Sequence, residues 1–412
     1  MDTVGARRPK ATTCDRVKVL LLNAGSSSLK CTLVDTNDRR VLVRAAADWA
    51  GTVTRYERMR PERELFSETW SSRGHSDAAR RMIDDLGLLQ GNEPLAAVGH
   101  RIVHGGKFRA SVRVTSEVRS RIAALAELAP LHNPPGLETL DVAQRLLPGV
   151  PQIAVFDTTF HATLPAAAYT YPVPHAWTSG WSIRRYGFHG LSHSYCAQRT
   201  AELLDREPRE LRIVICHLGH GCSAAAVANG RSVDTTMGFT PLDGLMMATR
   251  SGSIDPGIIT HIQNKYGLDG KDIDDALNHR AGLLGISGVS ADMREVRAAA
   301  AAGHDQARLA IDVYCHRVRQ AIGALAVTLG GIDALVFTAG VGENAPDIRA
   351  TVCRGLECLG LELDPQANAR AHADVDVARA ESRARILVLS TREDLAMLDE
   401  VAHVVLAQRG AA

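Results

Sequence analysis

Two stretches of the chain share one pattern of apolar and polar positions. Residues 17–35, VKVLLLNAGSSSLKCTLVD, contain an apolar run, a turn rich in Gly and Ser, and a segment with alternating apolar positions. Residues 211–230, LRIVICHLGHGCSAAAVANG, repeat that design. In each stretch a polar side chain at the end of the run, Asn23 or His217, is followed two residues later by glycine. The pattern predicts two β-hairpins and indicates two related halves.

The rest of the chain alternates between helical and strand patterns. Helical periodicity covers residues 116–130, 136–149 and 307–331, and short apolar strands are predicted within 95–106 and 151–160. This alternation is typical of the α/β class.

A late segment has the pattern of a nucleotide-binding turn. Residues 331–360, GIDALVFTAGVGENAPDIRATVCRGLECLG, predict an apolar strand, a Gly-rich turn, and a helix that begins at Asn344-Ala345-Pro346.

Composition narrows the class of partner. A chain of 412 residues exceeds what one core usually supports, so we expect two domains with a ligand cleft between them. The 47 Lys and Arg residues balance 46 Asp and Glu residues, and no basic stripe is interleaved with aromatic residues, so no nucleic-acid partner is expected. No apolar run approaches the roughly 18 residues of a membrane span, so no membrane partner is expected either.

The chain start and the cysteines bear on location. Residues 1–16 lack the apolar centre of a secretory signal, and we expect a disordered tail. The eight cysteines are sparse and show no Cys-x-x-Cys spacing, which suits a reducing compartment. We therefore expect a cytoplasmic protein.

The first turn, NAGSSSLK at residues 23–30, has the composition of a phosphate site. It offers successive backbone N–H groups, three hydroxyls, an amide and the cation of Lys30 in a turn too small to obstruct an anion. A Gly/Ser turn of this kind is more often an ordinary hairpin. The spacing of a P-loop is absent.

Two arginines and two carboxylates stand in unusual surroundings. Arg101 and Arg250 lie near glycines and away from an obvious helix face, where guanidinium groups could hold carboxylate or phosphate; the alternative is a pair of surface arginines. Asp157 ends a strand and Glu393 lies in STREDLAM, where each could hold a divalent ion; the alternatives are an N-cap and a solvated charge.

Histidines recur in pairs, which raises a zinc site as an alternative. The pairs are His100 and His104, His189 and His193, and His217 and His220. Glycines break these segments, so they do not form one clean helix face, and no Cys or carboxylate completes a ligand set. Zinc is therefore disfavoured.

Ten segments in order resemble the acetokinase family, from about Val17 to near the C-terminus. They are NAGSSSLK, GHRIVHGG, LAPLHNPPGLETL, VFDTTFH, RRYGFHGLSHSY, HLGHGCS, DTTMGFTPLDGLMMATRSGSIDPG, SGVSADMREV, FTAGVGEN and STREDL. The resemblance implies an α/β fold of duplicated actin-like (ribonuclease H-like) domains, shared with sugar kinases, with ATP in the cleft.

The resemblance also sets expected domain limits. The N-terminal domain would span residues 17–159 and be completed by a C-terminal helix, 394–412. The C-terminal domain, with the adenosine loops, would span residues 160–393.

The implied reaction is reversible phosphoryl transfer between ATP and acetate, giving acetyl phosphate and ADP, with Mg²⁺ (or Mn²⁺) and in a homodimer. A carboxylate nucleophile is already ionised, so no general base is required, and catalysis reduces to alignment and charge neutralisation. Propionate or butyrate kinase is the alternative within the class. A nucleotide-dependent actin- or chaperone-like interaction protein is the alternative outside it, and a degraded kinase that only binds nucleotide is a third.

The resemblance assigns roles to matching positions. The catalytic group would be Asp157, His189, Arg101 and Arg250. The acetate site would use Arg101, Val103, Leu131, His132, Phe188 and Pro241. The ATP site would use Lys30, Ser26, Ser28, His217, Gly219, His220, Gly221, Asp292, Met293, Arg294, Gly340, Val341, Gly342, Glu343 and Asn344. Asn23 and Glu393 would serve the metal, with Asp157 also linked to it.

Four positions refine the expectation. Gly340 and Val341 are small, which favours ATP over pyrophosphate. The family usually has Asn at the position of His220, and an imidazole is bulkier and titrates near neutrality. It usually has an acid at the position of Ser253, so a carboxylate close to Arg250 is missing, which would loosen that arginine.

Overall fold

The structure is a computed structural model that describes residues 17–49, 51–61, 64–71, 73–90, 95–129 and 132–409. The predicted tail, residues 1–16, and the predicted pocket residue Leu131 lie outside these described residues. None of the described helices is both long and apolar enough to cross a membrane.

Runs of strands and runs of helices follow one another along the described chain. The strands are β1 Lys18–Ala24, β2 Ser28–Asp35, β3 Val41–Asp48, β4 Thr54–Met59, β5 Leu65–Trp70, β6 Leu95–Ile102, β7 Val112–Arg113, β8 Gln152–Phe156, β9 Arg212–Leu218, β10 Cys222–Ala228, β11 Arg231–Thr235, β12 Ala334–Thr338, β13 Val375–Asp376 and β14 Arg385–Val388. The helices are α1 His75–Asp85, α2 Ser116–Ala123, α3 Asn133–Leu146, α4 Ala166–Tyr169, α5 His175–Gly180, α6 Gly190–Leu203, α7 Pro256–Tyr266, α8 Gly270–His279, α9 Gly282–Ser287, α10 Met293–Ala301, α11 Asp305–Thr328, α12 Ala339–Asn344, α13 Pro346–Cys353, α14 Pro365–Ala369 and α15 Glu393–Arg409.

The chain divides into two compact units. Unit 1 comprises the described residues of Met1–Ile102, Ser111–Val155 and Met397–Ala412. Unit 2 comprises Val103–Ala110 and Phe156–Ala396. Each unit contains a β-sheet and a hydrophobic core of its own.

The sheet of unit 1 has the strand order β5-β4-β3-β2-β1-β6-β8-β7. Strand β1 pairs antiparallel with β2 and parallel with β6, so the sheet is mixed. Nearly every residue of β1 is buried, because a central strand covered on both faces must be apolar on both. Met82 and Ile83 of α1 and Val142 and Ala143 of α3 join the core against this sheet.

The sheet of unit 2 repeats the same arrangement. Its order is β11-β10-β9-β12-β14-β13, with β9 antiparallel to β10 and parallel to β12. The series β3-β2-β1-β6-β8 of unit 1 therefore corresponds to β11-β10-β9-β12-β14. Both predicted hairpins, β1–β2 and β9–β10, are confirmed, and the common strand order supports the two related halves inferred from sequence.

The late Gly-rich segment differs from its prediction. The expected turn is itself helical, because α12 occupies Ala339–Asn344 before the predicted helix begins. Small residues permit this close approach: a Cβ on Gly342 would come within 3.3 Å of the Phe337 carbonyl carbon. Pro346 has no N–H to extend α12, so a new helix, α13, begins there.

The helical segment at 116–130 is also shorter than predicted. Helix α2 ends at Ala123, and the amides of Leu125 and Ala126 then bond to carbonyls three residues earlier. Such bonds form tight 3₁₀-type turns rather than an α-helix. Helix α3 begins at Asn133, earlier than the predicted 136, because prolines are tolerated in the first helical turn.

Candidate active site

In unit 1, parallel pairing brings two predicted site residues together. Asn23 lies near the end of β1 and Arg101 near the end of the adjacent parallel strand β6. The Arg101 guanidinium donates a hydrogen bond to Asn23 Oδ1 at 3.2 Å. Parallel neighbours present their carboxyl ends at one sheet edge, so the predicted metal-linked amide and the predicted acetate-binding arginine share that edge.

The first loop, residues 25–27, is tied back at both sides. The Gly25 amide donates to the Ser28 carbonyl at 2.8 Å, and the His75 ring lies 2.7 Å from the Gly25 carbonyl oxygen. A Cβ on Gly25 would lie 2.7 Å from Ser28 Oγ, so a side chain would collide with a predicted phosphate ligand. Ser26 and Lys30 are exposed, so both side chains are accessible to a phosphate anion.

The first turn of α3 lies beside Arg101. A Cβ on Gly136 would come within 3.0 Å of Ile102 and 3.4 Å of the Arg101 carbonyl oxygen, so glycine allows the helix to touch β6. His132 immediately precedes α3 and is half-buried. The structure thus places His132 at the start of the helix that covers the Arg101 strand.

In unit 2, His189 is held in an unusual conformation directly before α6. Its φ of 57° lies in the left-handed region, which is uncommon for a residue with a Cβ. The next amide, Gly190 N–H, donates to the Asp157 carbonyl at 2.9 Å, and a Cβ at Gly190 would lie 2.1 Å from that oxygen. Only glycine fits there, so β8 and α6 meet directly. Strain of this kind clusters at functional sites.

Hydroxyl groups orient the two neighbouring imidazoles. His189 Nδ1 lies 2.9 Å from Ser223 Oγ, and His217 Nδ1 lies 2.8 Å from Ser192 Oγ. The Thr391 hydroxyl donates in turn to Ser192 Oγ at 2.8 Å. In both rings the Nδ1 atom contacts a hydroxyl, and this contact fixes the direction in which Nε2 points.

The second loop, residues 219–221, passes between His189 and Arg250. A Cβ on Gly221 would lie 3.3 Å from His189 Nε2 and 3.7 Å from Arg250 Nη1, so both polar ends border the same bare stretch of backbone. The Gly219 amide donates to the Gly221 carbonyl at 3.1 Å and closes the loop. Burial lowers the pKa of Arg250 from its usual value, but an arginine remains charged near neutral pH.

The predicted apolar residues of unit 2 divide between two places. Phe188 is fully buried and Val103 packs against the same core cluster. Pro241 instead contacts the predicted catalytic arginine, because its carbonyl accepts a hydrogen bond from Arg250 at 3.4 Å.

The predicted metal-linked carboxylates of unit 2 have suitable chemistry. Asp157 follows β8 and is 1% exposed, whereas Glu393 is the half-buried first residue of α15. Carboxylate oxygens are the ligands that Mg²⁺ prefers, and Mg²⁺ usually takes only one or two from the protein. Among the described residues, no group of three or more His, Cys, Asp and Glu side chains could hold a metal ion.

A cavity of about 750 Å³ in unit 2 gathers much of the predicted ATP site. Its predicted lining residues are Gly219, His220, Asp292, Met293, Arg294, Gly340, Val341 and Asn344. Asp292 caps α10 and pairs with Arg294, which lowers the pKa of the Asp292 carboxyl to about 2. Gly342 and Glu343 lie in α12 between lining residues, and the Thr391 amide donates to Glu343 Oε1.

Similarity to known protein sequences establishes the family. The sequence profile described as "Acetokinase family" matches residues 18–399. The chain belongs to the acetokinase family. An acetate kinase of Cyanothece sp. (strain PCC 7425 / ATCC 29141) is 46% identical over 398 residues, covering 93% of this chain and 97% of the relative. An acetate kinase of Gloeobacter violaceus is 47% identical over 399 residues, covering 93% and 98%.

Solved acetokinase structures share the fold. An acetate kinase of Porphyromonas gingivalis superposes with a TM-score of 0.87 at 37% identity, covering 94% of this chain and 100% of that one. A propionate kinase of Francisella tularensis has a TM-score of 0.87 at 38% identity, covering 93% and 98%. The predicted fold class of duplicated actin-like α/β domains is confirmed.

The structure shows what surrounds His220 and Ser253, the two positions that depart from the usual acetokinase sequence. His220 lines the cavity, and desolvation together with the Arg250 charge lowers its pKa, so it titrates lower than the sequence alone suggests. The Ser253 hydroxyl donates to Asp243 Oδ1 and accepts from the Gly244 amide. A carboxylate at Ser253 would face that of Asp243, so serine bridges this loop where an acid would repel. The expected loosening of Arg250 stays a prediction.

Sequence reasoning missed several contributors to the site. Leu283, Ser290, Ala291, Arg297 and Ala345 also line the cavity. Arg297 could have been found, because it lies one helical turn after Met293 and shares its face of α10. The hydroxyls that orient the histidines carried no such signal, since they are ordinary small residues in the sequence.

Proposed function

We propose that this chain is an acetate kinase that transfers a phosphoryl group reversibly between ATP and acetate by direct in-line displacement. The observation that carries the proposal is the second loop, where His189 Nε2 and Arg250 Nη1 border one glycine. A hydrogen-bond donor and a fixed cation on the same bare backbone suit the equatorial oxygens of a phosphoryl group in transfer. Names of relatives at 46–47% identity support acetate as the acceptor.

Each proposed role follows from charge. The acetate oxygen is already a nucleophile, so no group has to remove a proton. Arg101 and Arg250 hold acetate and the transferring group and offset the repulsion between two anions. His189 donates to the phosphoryl oxygens, and His132 and His217 line the site. Lys30, Ser26 and Ser28, with the backbone amides of both loops, hold ATP phosphates, and the cavity of about 750 Å³ takes adenosine.

We further propose Mg²⁺, or Mn²⁺, as the cofactor. When bound, such an ion neutralises ATP phosphate charge. Asp157, Glu393 and Asn23 would provide oxygen ligands for it. The carboxylates supply hard anionic oxygen, and the Asn23 amide oxygen is fixed by Arg101.

Propionate is the second candidate acceptor, because a propionate kinase is as similar in structure as an acetate kinase. The acetokinase resemblance assigns a methyl pocket to Val103, Leu131, Phe188 and Pro241. One methylene alters binding by only about 1–3 kcal/mol in such a pocket, so propionate is expected as a slower substrate rather than a rejected one.

The assembly and location are proposed in the same way. We propose two domains, 17–159 with 394–412 and 160–393, and a cytoplasmic homodimer. The described cysteines are all free, which suits a reducing compartment. Trp177 and Trp181 stack on one another while 41% and 65% exposed, and exposed aromatic residues are enriched at protein interfaces. Sedimentation equilibrium of the purified protein tests the dimer.

The decisive experiment measures ADP release from Mg-ATP with formate, acetate, propionate or butyrate, against a no-acid control. Acetate is expected to give the highest kcat/KM, with propionate next. A higher value for propionate would reassign the acceptor. Tight ATP binding with no acid above the control rate would contradict the kinase and favour a nucleotide-dependent interaction protein or a degraded kinase.

A further inference from the structure

One buried serine contacts two histidines. Ser223 lies in β10, and its Oγ is 2.9 Å from His189 Nδ1 and 2.7 Å from His193 Nε2. Ser223 and His193 are both fully buried. A hydroxyl has one proton and two lone pairs, and among the described residues the two imidazoles are the only hydrogen-bond partners of Ser223 Oγ. Its buried proton therefore goes to one of these rings, and it accepts an N–H from the other. The hydrogen bonds therefore run either from His193 through Ser223 to His189 or in the opposite direction.

His193 settles the direction. Burial holds the pKa of His193 well below its ordinary value, with His161 and His217 adding to that effect, so the ring carries one proton. Its Nδ1 is buried without a hydrogen-bond partner among the described residues. A proton on Nδ1 would bury an unpaired N–H, which native structures rarely tolerate. The proton therefore lies on Nε2 and is donated to Ser223.

The consequence reaches His189. When Ser223 accepts from His193, its own proton is donated to His189 Nδ1. A neutral His189 must then carry its proton on Nε2, the atom that borders Gly221 and Arg250. The reverse direction would place a lone pair there, which repels an anionic oxygen, and would bury the unpaired N–H of His193.

We infer that Ser223 and His193 are positioning residues that fix the tautomer of His189, so that Nε2–H points at the phosphoryl group before substrate binds. The inference rests on the phosphoryl-transfer function and the role of His189 proposed above. It explains how His189 can donate a hydrogen bond to the phosphoryl group: a neutral ring already carries a proton on Nε2 and needs no second proton.

Unit 2 contains a matched control. His161 Nδ1 lies 2.8 Å from Ser232 Oγ, and His161 Nε2 lies 3.0 Å from the Phe188 carbonyl oxygen. A carbonyl only accepts, so His161 donates from Nε2 and Ser232 donates to Nδ1. This is the same buried serine–histidine contact outside the chain that ends at His189.

The direct test is ¹⁵N NMR of protein labelled at histidine, with His189 assigned by comparison with His189→Gln. We expect the Nε2–H tautomer in the wild-type protein without substrate, and a mixture of tautomers in Ser223→Ala. Ser232→Ala should leave His189 in the Nε2–H tautomer, because Ser232 has no hydrogen bond to Ser223, His189 or His193. A wild-type His189 protonated on Nδ1 would overturn the inference, and this readout needs no turnover.

Kinetics provide the second test. Ser223→Ala should lower kcat by about 10- to 100-fold with little change in KM for ATP, somewhat less than outright loss of a preorganised donor. His193→Gln retains an N–H donor toward Ser223 and should keep most activity, whereas His193→Met should lose it. Equal loss in Gln and Met would make the role of His193 purely structural. Absence of acid-dependent turnover in the wild type would instead contradict the proposed function, leaving the tautomer result intact.

Discussion

The imidazole ring of His189 stacks on that of His217, with centroids 4.2 Å apart and planes 21° from parallel. His217 is itself fixed through Ser192, which Thr391 bonds in turn. His189 is therefore restrained on its face by a ring and at its edge by Ser223. A donor restrained in both ways needs little reorganisation when charge develops in a transition state.

Substitutions of His217 separate stacking from hydrogen bonding. His217→Phe keeps an aromatic face against His189 but loses the contact with Ser192. His217→Ala loses both. If stacking orients His189, kcat should fall by about tenfold or more in the Ala variant and clearly less in the Phe variant. Equal values of kcat in the two variants would contradict a stacking role.

Replacement of Arg250 should impair transfer far more than ATP binding. Arg250→Ala removes a partly buried cation beside Gly221, and kcat should fall by about 10²-fold or more. Arg250→Lys should recover only part, because an ammonium does not reproduce the planar fork. The control is Arg308→Ala, since Arg308 forms an exposed pair with Asp305 on α11. Calorimetric titration with ATP checks binding; unchanged kcat in Arg250→Ala would remove its proposed role.

His220 should make ATP affinity depend on pH. Its pKa is lowered, so the ring is neutral at pH 7 and gains a proton only as the pH falls below about 6.5. A proton gained there adds positive charge to the ATP cavity, so ATP binding should tighten. The Kd for ATP between pH 7.5 and 5 should vary less in His220→Asn than in the wild type. Titrating both proteins cancels the protonation of ATP itself, and parallel curves would show that His220 has no part in binding.

Buried histidines should make the protein acid-sensitive. Burial lowers the pKa of His100, His104 and His161 to about 4 each. Between about 6.5 and 4 the unfolded chain binds protons that the folded chain does not, so the free energy of unfolding falls as pH falls. At most, each ring accounts for about 3 kcal/mol over that range. Above a pH of about 6.5, the pKa in the unfolded chain, these rings do not alter the pH dependence of the free energy of unfolding.

Calorimetric Tm values at pH 7.5 and 5 check this expectation. The drop in Tm on acidification should be smaller in His100→Gln, which keeps an amide donor for the Gln152 side chain. His279→Gln serves as the control, because His279 is an exposed residue of α8 paired with Asp275. An equal drop in all three proteins would contradict a contribution from His100.

Local pattern was sufficient for the parts of the fold that depend on neighbours in sequence. Apolar alternation and a glycine two positions past a polar strand end predicted both hairpins, because strand and turn are set within a few residues. The helix α12 was missed, since its Gly-rich sequence favours a turn and only packing against β9 and β12 makes it helical.

The candidate site was predictable where a motif names its residues, and hidden where the contact is distant in sequence. Ser192 and Thr391 are 199 positions apart and yet bond to one another. Ser223 is one small residue in a strand of small residues. Such hydroxyls acquire meaning only when tertiary structure places an imidazole beside them.

The two sheets carry different side chains at one equivalent position, the end of the two central parallel strands. Near the end of β1 in unit 1, Asn23 stands beside Arg101 of the parallel strand β6. At the corresponding position in unit 2, His217 of β9 is in register with Thr338 of β12. The same strand arrangement therefore forms with Asn23 and Arg101 at this position in unit 1 and with His217 and Thr338 in unit 2. The strand pairing is the same with either pair, so the two positions can serve a different task in each unit.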